Sequence, residues 1–256
     1  MVNTIIWIFI YCFVTLFINV SAVFNVDTQW MTYIDGTKKI NEINIPGTHD
    51  TGTLEMANGA VAEFSKTQSL TITEQLEHGI RYLDLRITLS DKDSTDLYLT
   101  HNGYVCYDPD NTKEKLYLSK VLNSCIEFLN TNYNETIIIH LKREDITGDI
   151  KNNIEDENPE KNYLAKLIAE HTILNENIVS NPKYITKTKV KDYFYYNDEI
   201  PTLNQVRNNI VIVTRDLYTY NNETLGIQME VPYMGDCTEY SNQGRANDGV
   251  ICKPIF

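Results

Sequence analysis

Basic residues are scarce in this sequence. The 256 residues include 22 Lys and Arg against 35 Asp and Glu, which gives a net charge of −13. Proteins that bind nucleic-acid phosphates, or that charge alone holds on anionic membranes, need an excess of positive charge. The composition therefore argues against a nucleic-acid binder. Any contact with lipid has to use apolar or aromatic groups, such as the 17 tyrosines.

Zinc-site spacings and internal repeats are also missing. Neither Cys-x-x-Cys nor His-x-x-x-His occurs, so the cysteines and histidines do not predict a structural zinc site. No repeat, low-complexity tract or domain linker stands out. Apolar residues make up 42% of the chain and charged residues 22%, which is typical of a globular protein. We expect one α/β domain over residues 23–256.

The N-terminus reads as a targeting segment. Residues 5–20 are apolar except for Thr15 and Asn19, and they are followed by Ser21 and Ala22. The run is short for a membrane span, and its small-residue end fits cleavage after Ala22. We predict a signal peptide over 1–22 and a secreted protein. The segment lacks Lys and Arg before its apolar run, so an uncleaved membrane anchor is the alternative.

Cysteine usage agrees with secretion. Without Cys12, four cysteines remain, and four cysteines allow three pairings. The pairs Cys106–Cys125 and Cys237–Cys252 close the shortest loops, and we predict these two disulfides. The sequons at Asn134 and Asn222 could carry glycans in the same compartment.

Short β-prone runs alternate with helical patterns. Such alternation predicts a parallel sheet with crossover helices. The predicted strands are 43–45, 80–87, 97–100, 136–142 and 210–214, and the predicted helices are 71–78, 117–130 and 163–173. A Thr71–Glu74 capping box opens the first helix and Gly79 ends it.

Polar side chains recur where these strands end. In the run 80–87, Tyr82, Asp84 and Arg86 share one face and alternate with leucine and isoleucine. Parallel α/β barrels build their sites at the C-terminal ends of strands. The candidates at five such ends are His49, Arg86, His101, Lys142 and Arg215.

These residue types suit cleavage of a phosphodiester without a metal ion. One histidine can remove a proton from the attacking hydroxyl, and a second can protonate the leaving oxygen. Asp50 stands beside His49, and Arg86 can give a bidentate contact to phosphate oxygens. A structural ion pair is the alternative role for Asp84 and Arg86. His140 faces the same side as Lys142 and is interpreted as an interior residue.

Five segments together resemble a known family. They read IPGTHDTGT (45–53), HGIRYLDLR (78–86), LTH (99–101), ETIIIHLK (135–142) and IVIVTR (210–215). In order and spacing they are similar to the X domain of phosphatidylinositol-specific phospholipases C, particularly the metal-independent bacterial type. The resemblance covers roughly residues 40–216 and implies an irregular, TIM-barrel-like α/β fold.

The resemblance also implies roles for the candidates. His49 would be the general base on the inositol 2-hydroxyl, and His101 the general acid on the diacylglycerol oxygen. Asp50 would support the acid, and Arg86 with Asp84 would bind the phosphate and orient the attacking hydroxyl. The inositol pocket would be lined by Lys142 and Arg215. No cofactor is implied, because Arg86 stands where calcium-dependent relatives have an acidic residue.

The expected substrate is phosphatidylinositol or a glycosylphosphatidylinositol, met by a monomer in transient contact with a membrane. Two features depart from the family. After Arg215 only residues 216–256 remain, whereas the family adds further strands and an aspartate that supports the base. The nearest counterparts are Asp216 and Asp236, and we expect an incomplete barrel, either in a C-terminally truncated domain or in one that needs a partner to close it.

Two other functions stay open. One is a catalytically inactive X-domain module that binds lipid head groups or a protein partner. The other is a metal-dependent glycerophosphodiesterase barrel, for which the sequence lacks an acidic ligand cluster.

Overall fold

The computed structural model describes residues 26–56, 64–88, 97–144, 187, 190–214, 218–220 and 223–228. Several predictions concern residues outside these ranges and stay predictions. They are the signal peptide 1–22, the helix 163–173, and the residues Arg215, Asp216, Asn222, Asp236, Cys237 and Cys252.

The predicted helices 71–78 and 117–130 are confirmed to within one residue at each end, whereas the short helices at 26–29 and 203–206 were not predicted. Their bounds are α1 (Val26–Gln29), α2 (Ile72–Glu77), α3 (Leu118–Thr131) and α4 (Leu203–Val206), with single 3-10 turns at Trp30–Tyr33, Ile40–Glu42 and Val190–Tyr193. The predicted capping box of α2 is confirmed: Glu74 N donates to Thr71 Oγ1 at 3.2 Å, and Thr71 N donates to Glu74 Oε2 at 2.8 Å. Across the described residues, no helix has the length and apolarity to cross a bilayer.

The strands form one large sheet and one small hairpin. In chain order they are β1 (Gly47–Thr48), β2 (Glu55–Met56), β3 (Tyr82–Thr88), β4 (Tyr98–His101), β5 (Tyr104–Asp108), β6 (Asn111–Lys115), β7 (Ile137–Arg143), β8 (Phe194–Tyr195), β9 (Ile210–Thr214), β10 (Tyr218–Tyr220), β11 (Glu223–Leu225) and β12 (Ile227–Gln228). The hairpin is β10–β11, and the other ten strands belong to the large sheet.

A parallel core carries the candidate residues. β3 pairs in parallel with β7, which pairs in parallel with β9. β1 lies beside the start of β3, while β8 and β12 lie beside the start and the end of β9. Over the described residues the sheet stays open, because no pairing joins β1 to β8 or β12. The predicted incomplete, TIM-barrel-like α/β fold is confirmed.

The purely parallel arrangement expected from sequence is wrong for one strand. β4 pairs antiparallel with β3, and β5 and β6 continue as an antiparallel meander. Because β4 is antiparallel to β3, its last residue, His101, lies beside the middle of β3 and not beyond the end of that strand. The connection from β4 to β5 is a tight turn, Asn102-Gly103, with φ of 52° and 79°. Two left-handed residues are typical of the type I′ hairpin turn.

The predicted strand 43–45 is wrong as well. The chain pairs with β3 slightly later, at Gly47 and Thr48. A Cβ on Gly47 would lie 3.0 Å from the Cβ and 3.1 Å from the backbone oxygen of Tyr82. The missing side chain therefore allows this close approach, and Gly47 lies in the strand itself.

Alternation along the strands separates two cores. Leu83, Leu85 and Ile139 face α2 and α3, whose buried residues complete the larger core. Ile138 and Val213 face the opposite side, which we call the inner side, where they pack with Ile40, Val206, Val211 and Ile227. The register places Asp84 beside His140 and Arg86 beside Lys142 on this inner side.

The predicted Cys106–Cys125 disulfide is wrong. Both thiols are free and buried in the larger core, Cys106 on β5 and Cys125 on α3. Each thiol is enclosed by apolar side chains, so strand and helix pack there without a covalent link. Burial raises the pKa of both thiols to about 12, and the charges of Asp50 and Glu144 add to this effect at Cys106.

A buried ion pair joins the starts of β3 and β7. Arg81 Nε lies 2.9 Å from Glu135 Oε2, and neither side chain is exposed. Glu135 also accepts a hydrogen bond from Met31 N at 3.1 Å, and Arg81 donates to Thr28 O at 2.8 Å. Burial lowers the pKa of Arg81 and raises the pKa of Glu135, because it disfavours both charges. The pair ties the N-terminal segment to the sheet at the end opposite the candidate site.

Candidate active site

A network of buried polar groups shapes the loop that carries His49 and Asp50. Gln75 of α2 donates to Thr51 O at 3.0 Å and accepts from Thr48 Oγ1 at 2.7 Å. Thr51 is bound to β3 twice, since Thr51 N donates to Asp84 O at 2.9 Å and Asp84 N donates to Thr51 Oγ1 at 2.8 Å. The residues on each side of His49 and Asp50 are thus fixed to a helix and to the central strand.

His49 lies between two carboxylates. Its Nδ1 is 2.9 Å from Asp84 Oδ2, and its Nε2 is 2.9 Å from Asp50 Oδ2. The imidazole is 65% exposed, whereas Asp50 is almost fully buried. The carboxylate of Asp84 orients the ring and can accept a hydrogen bond from Nδ1. The other nitrogen, Nε2, faces the carboxylate of Asp50.

Asp50 is the point where the charged groups meet. Its Oδ1 forms an ion pair with Arg86 Nε, and its Oδ2 lies 3.2 Å from His101 Nδ1 as well as near His49. Asp50 has a φ of 46°, a left-handed conformation that few residues other than glycine, asparagine and aspartate adopt. This turn directs the carboxylate back beneath the two imidazoles, whose ring centroids are 6.4 Å apart.

A third carboxylate joins the group and was missed by the sequence analysis. Glu144 follows β7, with Oε1 3.5 Å from Arg86 Nη1 and Oε2 4.0 Å from His101 Nδ1. Arg86 also lies 3.8 Å from Asp84. The signal was available: the alternation that groups His140 with Lys142 extends two residues further to position 144.

His101 reaches the site from the antiparallel meander. Its side chain is mostly buried at the end of β4, and its Nδ1 faces Asp50 and Glu144. The amide of Asn102, the next residue, is 3.0 Å from Nε2. The type I′ turn therefore brings the imidazole of His101 and the amide of Asn102 together.

The remaining candidates, Lys142, Arg215 and His140, differ in their relation to this group of side chains. Lys142 stands at the register position beside Arg86 and is half-buried, and Arg215 lies outside the described residues. His140 is buried, with its Nδ1 3.4 Å from Asp84 Oδ1. The structure thus brings together His49, Asp50, Asp84, Arg86 and His101, with Lys142 at the next register position.

Three of these residues could also approach one cation. Donor atoms of His49, Asp50 and Asp84 lie within 4.8 Å of one another, a grouping that could hold a metal ion. The guanidinium of Arg86 already contacts the carboxylates of both aspartates. Its positive charge disfavours a second cation at the same oxygens. The chemistry of this donor set therefore favours the arginine over a metal.

Comparisons with known proteins identify the family of this chain. Residues 43–216 match the family model described as phosphatidylinositol-specific phospholipase C, X domain. The chain is similar to 1-phosphatidylinositol phosphodiesterase from Staphylococcus aureus (strain Newman), with 28% identity over 206 residues, covering 78% of this chain and 56% of that protein. The protein of the same name from Listeria monocytogenes is 28% identical over 213 residues, covering 80% of this chain and 55% of the other.

One solved structure has a similar fold. The phosphatidylinositol-specific phospholipase C from Listeria monocytogenes aligns with a TM-score of 0.54 and 27% identity, covering 80% of this chain and 64% of that one. The chain spans about half the length of the curated relatives that it matches.

Proposed function

This chain belongs to the family of the phosphatidylinositol-specific phospholipase C X domain, and from that premise we propose that it cleaves phosphatidylinositol or a glycosylphosphatidylinositol. The products are diacylglycerol and a cyclic inositol phosphate. The observation that carries the proposal is the convergence of His49, His101 and Arg86 on the single carboxylate of Asp50.

The first step is attack by the 2-hydroxyl of inositol on phosphorus. His49 takes the hydroxyl proton on Nε2, because Asp84 holds the proton of Nδ1. The contact between Nε2 and Asp50 has to open when the substrate binds. The large exposed fraction of the His49 ring gives a bound head group access to this nitrogen.

The second step releases the lipid. As the new O–P bond forms, the bond from phosphorus to the diacylglycerol oxygen breaks, and His101 gives that oxygen a proton. Asp50 supports the protonated form of His101 through its 3.2 Å contact with Nδ1. The proton taken by His49 and the proton given by His101 balance, so turnover needs only their exchange with solvent. Slow attack of water on the cyclic phosphate follows by the same two groups.

Arg86 supplies the fixed positive charge. Its guanidinium is held by Asp50 and Glu144, so it meets the charge that develops on the phosphate oxygens without first having to reorient. Lys142, one strand away in register, and Arg215 would bind the inositol hydroxyls and complete the pocket.

Site variants test the proposal. We expect His49→Ala and His101→Ala each to lower turnover on phosphatidylinositol vesicles by at least about 100-fold, the usual contribution of one acid or base. Phosphorus NMR identifies the cyclic product. His78→Ala is the matched control, because His78 is an exposed residue that ends α2 and contacts Glu74 O. Full activity in either site variant contradicts the assignment.

A chelator tests the role given to Arg86. We expect activity to persist in excess EDTA, because a guanidinium and not a metal ion neutralises the phosphate. Loss of activity in EDTA that calcium restores would contradict this role.

A second candidate function is an inactive module that binds head groups or a protein partner. One observation favours it: both ring nitrogens of His49 face carboxylates, so the base is blocked until Asp50 moves. A folded protein that binds phosphatidylinositol vesicles without hydrolysing them would support this function over the first.

The setting of the protein follows from its N-terminus and charge. We propose that it is secreted after removal of residues 1–22, acts as a monomer and touches membranes transiently. Asn134, half-buried in the described structure, is the sequon that a glycan analysis can test first.

A further inference from the structure

His140 lies beside Asp84, the aspartate whose carboxylate contacts His49. The register of β3 and β7 sets it beside Asp84, and both side chains point to the inner side of the sheet. His140 Nδ1 is 3.4 Å from Asp84 Oδ1, while Asp84 Oδ2 is 2.9 Å from His49 Nδ1. One carboxylate therefore stands between two imidazoles and uses a different oxygen for each.

We propose that His140 is a positioning residue that fixes the carboxylate of Asp84 and, through it, the tautomer and orientation of His49. The inference rests on the proposed function, in which His49 is the base. It also names the carboxylate that supports this base: Asp84 on the central strand, in place of the sequence candidates Asp216 and Asp236.

The surroundings of His140 exclude a direct role in the reaction. The side chain is only 7% exposed and lies behind Asp84 as seen from His49. On β3 the neighbouring groups are the ring of Tyr82, with its centroid 6.0 Å from that of His140, and Arg86, which is 3.8 Å from Asp84 Oδ2. On β9 the register partner is the apolar Val213. Nδ1 of His140 thus faces the carboxylate.

The physical reason is the cost of an unsupported carboxylate. Asp84 Oδ1 is buried and has no hydrogen-bond partner within the described residues, so the imidazole of His140, with Nδ1 3.4 Å away, is the nearest group that can offset its charge. Without His140, the carboxylate can offset its charge by rotating towards Arg86. Rotation withdraws Oδ2 from His49 Nδ1, and the proton of His49 is then no longer confined to Nδ1. A base with its proton on Nε2 cannot accept one there.

The test compares three replacements at one position. His140→Phe and His140→Val remove the ring nitrogen at two different side-chain volumes, so one of them serves if the other does not fold. His140→Asn keeps an N–H donor near the position of Nδ1. Ile138→Val is the matched control, since Ile138 lies two residues earlier on the same face and packs in the apolar inner core.

Two readouts separate positioning from simple destabilisation. The first is kcat and KM on phosphatidylinositol. The second is the tautomer of His49, read from two-bond ¹⁵N–¹H correlations in the full-length protein labelled on its five histidines and assigned with His49→Ala. Loss of support from a neighbouring group typically lowers activity by about 10- to 100-fold. We expect such a loss in kcat for the Phe and Val variants, with KM nearly unchanged and a mixed His49 tautomer.

We expect His140→Asn and Ile138→Val to retain kcat within about three-fold and to keep the Nδ1–H tautomer. Unchanged His49 signals in both the Phe and Val variants would overturn the proposal, as would an equal change in Ile138→Val. The NMR readout needs no turnover. If the wild-type protein proves inactive, the tautomer comparison still decides the role of His140, so failure of the proposed function is distinguishable.

Discussion

The buried Arg81–Glu135 pair gives the sharpest stability prediction. In Glu135→Gln the volume is kept and one negative charge is removed. The guanidinium of Arg81 keeps its hydrogen bonds to the carbonyl oxygens of Leu76 and Ile80 at 2.7 Å and of Thr28 at 2.8 Å. It remains a fully buried cation without a counter-charge. The new amide can accept only one of the two hydrogen bonds that the carboxylate accepts from Arg81 Nε and from Met31 N.

Breaking a buried ion pair by removing one partner costs about 3–5 kcal/mol. The three carbonyl contacts that remain favour the lower end, so we expect a loss of about 3 kcal/mol in the free energy of unfolding. For a domain of this size that corresponds to a fall in Tm of about 6–12 °C. Urea unfolding followed by tryptophan fluorescence measures it, because Trp30 Nε1 is hydrogen-bonded to Gly79 O beside the pair.

Glu127→Gln supplies the matched control. Glu127 lies on the exposed face of α3, where the same chemical change costs less than about 0.5 kcal/mol. The activity of the folded Glu135→Gln protein should equal that of the wild type, because the pair lies at the end of the sheet opposite His49. A loss under about 1 kcal/mol would show that the buried pair contributes little, and the reasoning from desolvation would be refuted.

Two further predictions concern the thiols and the arginine of the site. Cys106 and Cys125 are buried thiols with pKa values near 12, so at pH 8 both are protonated and enclosed. We expect mass spectrometry to find them alkylated only after unfolding, and a linked Cys106–Cys125 peptide would contradict the structure. Arg86→Lys keeps the charge but loses the planar fork that contacts Asp50 and Glu144. We expect kcat to fall about 100-fold with little change in Tm, and retained kcat would show that charge alone suffices.

Local patterns in the sequence predicted the parallel core well. Each successful prediction depends on residues close together in one element. These are the apolar stripe of α3, the capping box of α2 and the alternation of β3. Tyr82, Asp84 and Arg86 share a face because side chains alternate along any strand. The structure adds their neighbours His140 and Lys142 through the parallel register with β7.

The errors have non-local causes. The direction of β4 depends on the Asn102-Gly103 turn and on pairing with β3, and a short apolar run does not reveal its direction. The strand at Gly47 depends on how closely Tyr82 approaches, which only the packed sheet defines. The disulfide error arose from loop length alone, because loop length does not show whether two thiols point at each other.

The site shows most clearly why sequence order was informative and yet incomplete. His49 and Asp50 are adjacent in sequence, yet the resemblance implied that Asp50 supports the acid, His101, and not its neighbour. In the folded chain Asp50 adopts a left-handed conformation, and its carboxylate serves His101 and Arg86 in addition to His49. The support of His49 on Nδ1 comes instead from Asp84, 35 positions later.

The presence of a second carboxylate at each of the two histidines has a chemical consequence. A base and an acid that share one supporting carboxylate would have coupled protonation states, because a proton on either imidazole changes the field at the other. Separate carboxylates allow one imidazole to stay neutral while the other stays protonated, as acid–base catalysis by two histidines requires. Asp50 Oδ2 faces both rings in this structure, but Asp84 gives His49 a partner that His101 does not share, and Glu144, 4.0 Å from His101, adds a partner that His49 does not share. When the contact between Asp50 and His49 Nε2 opens for the substrate step, Asp84 still supports His49 at Nδ1, and Asp50 and Glu144 still face His101.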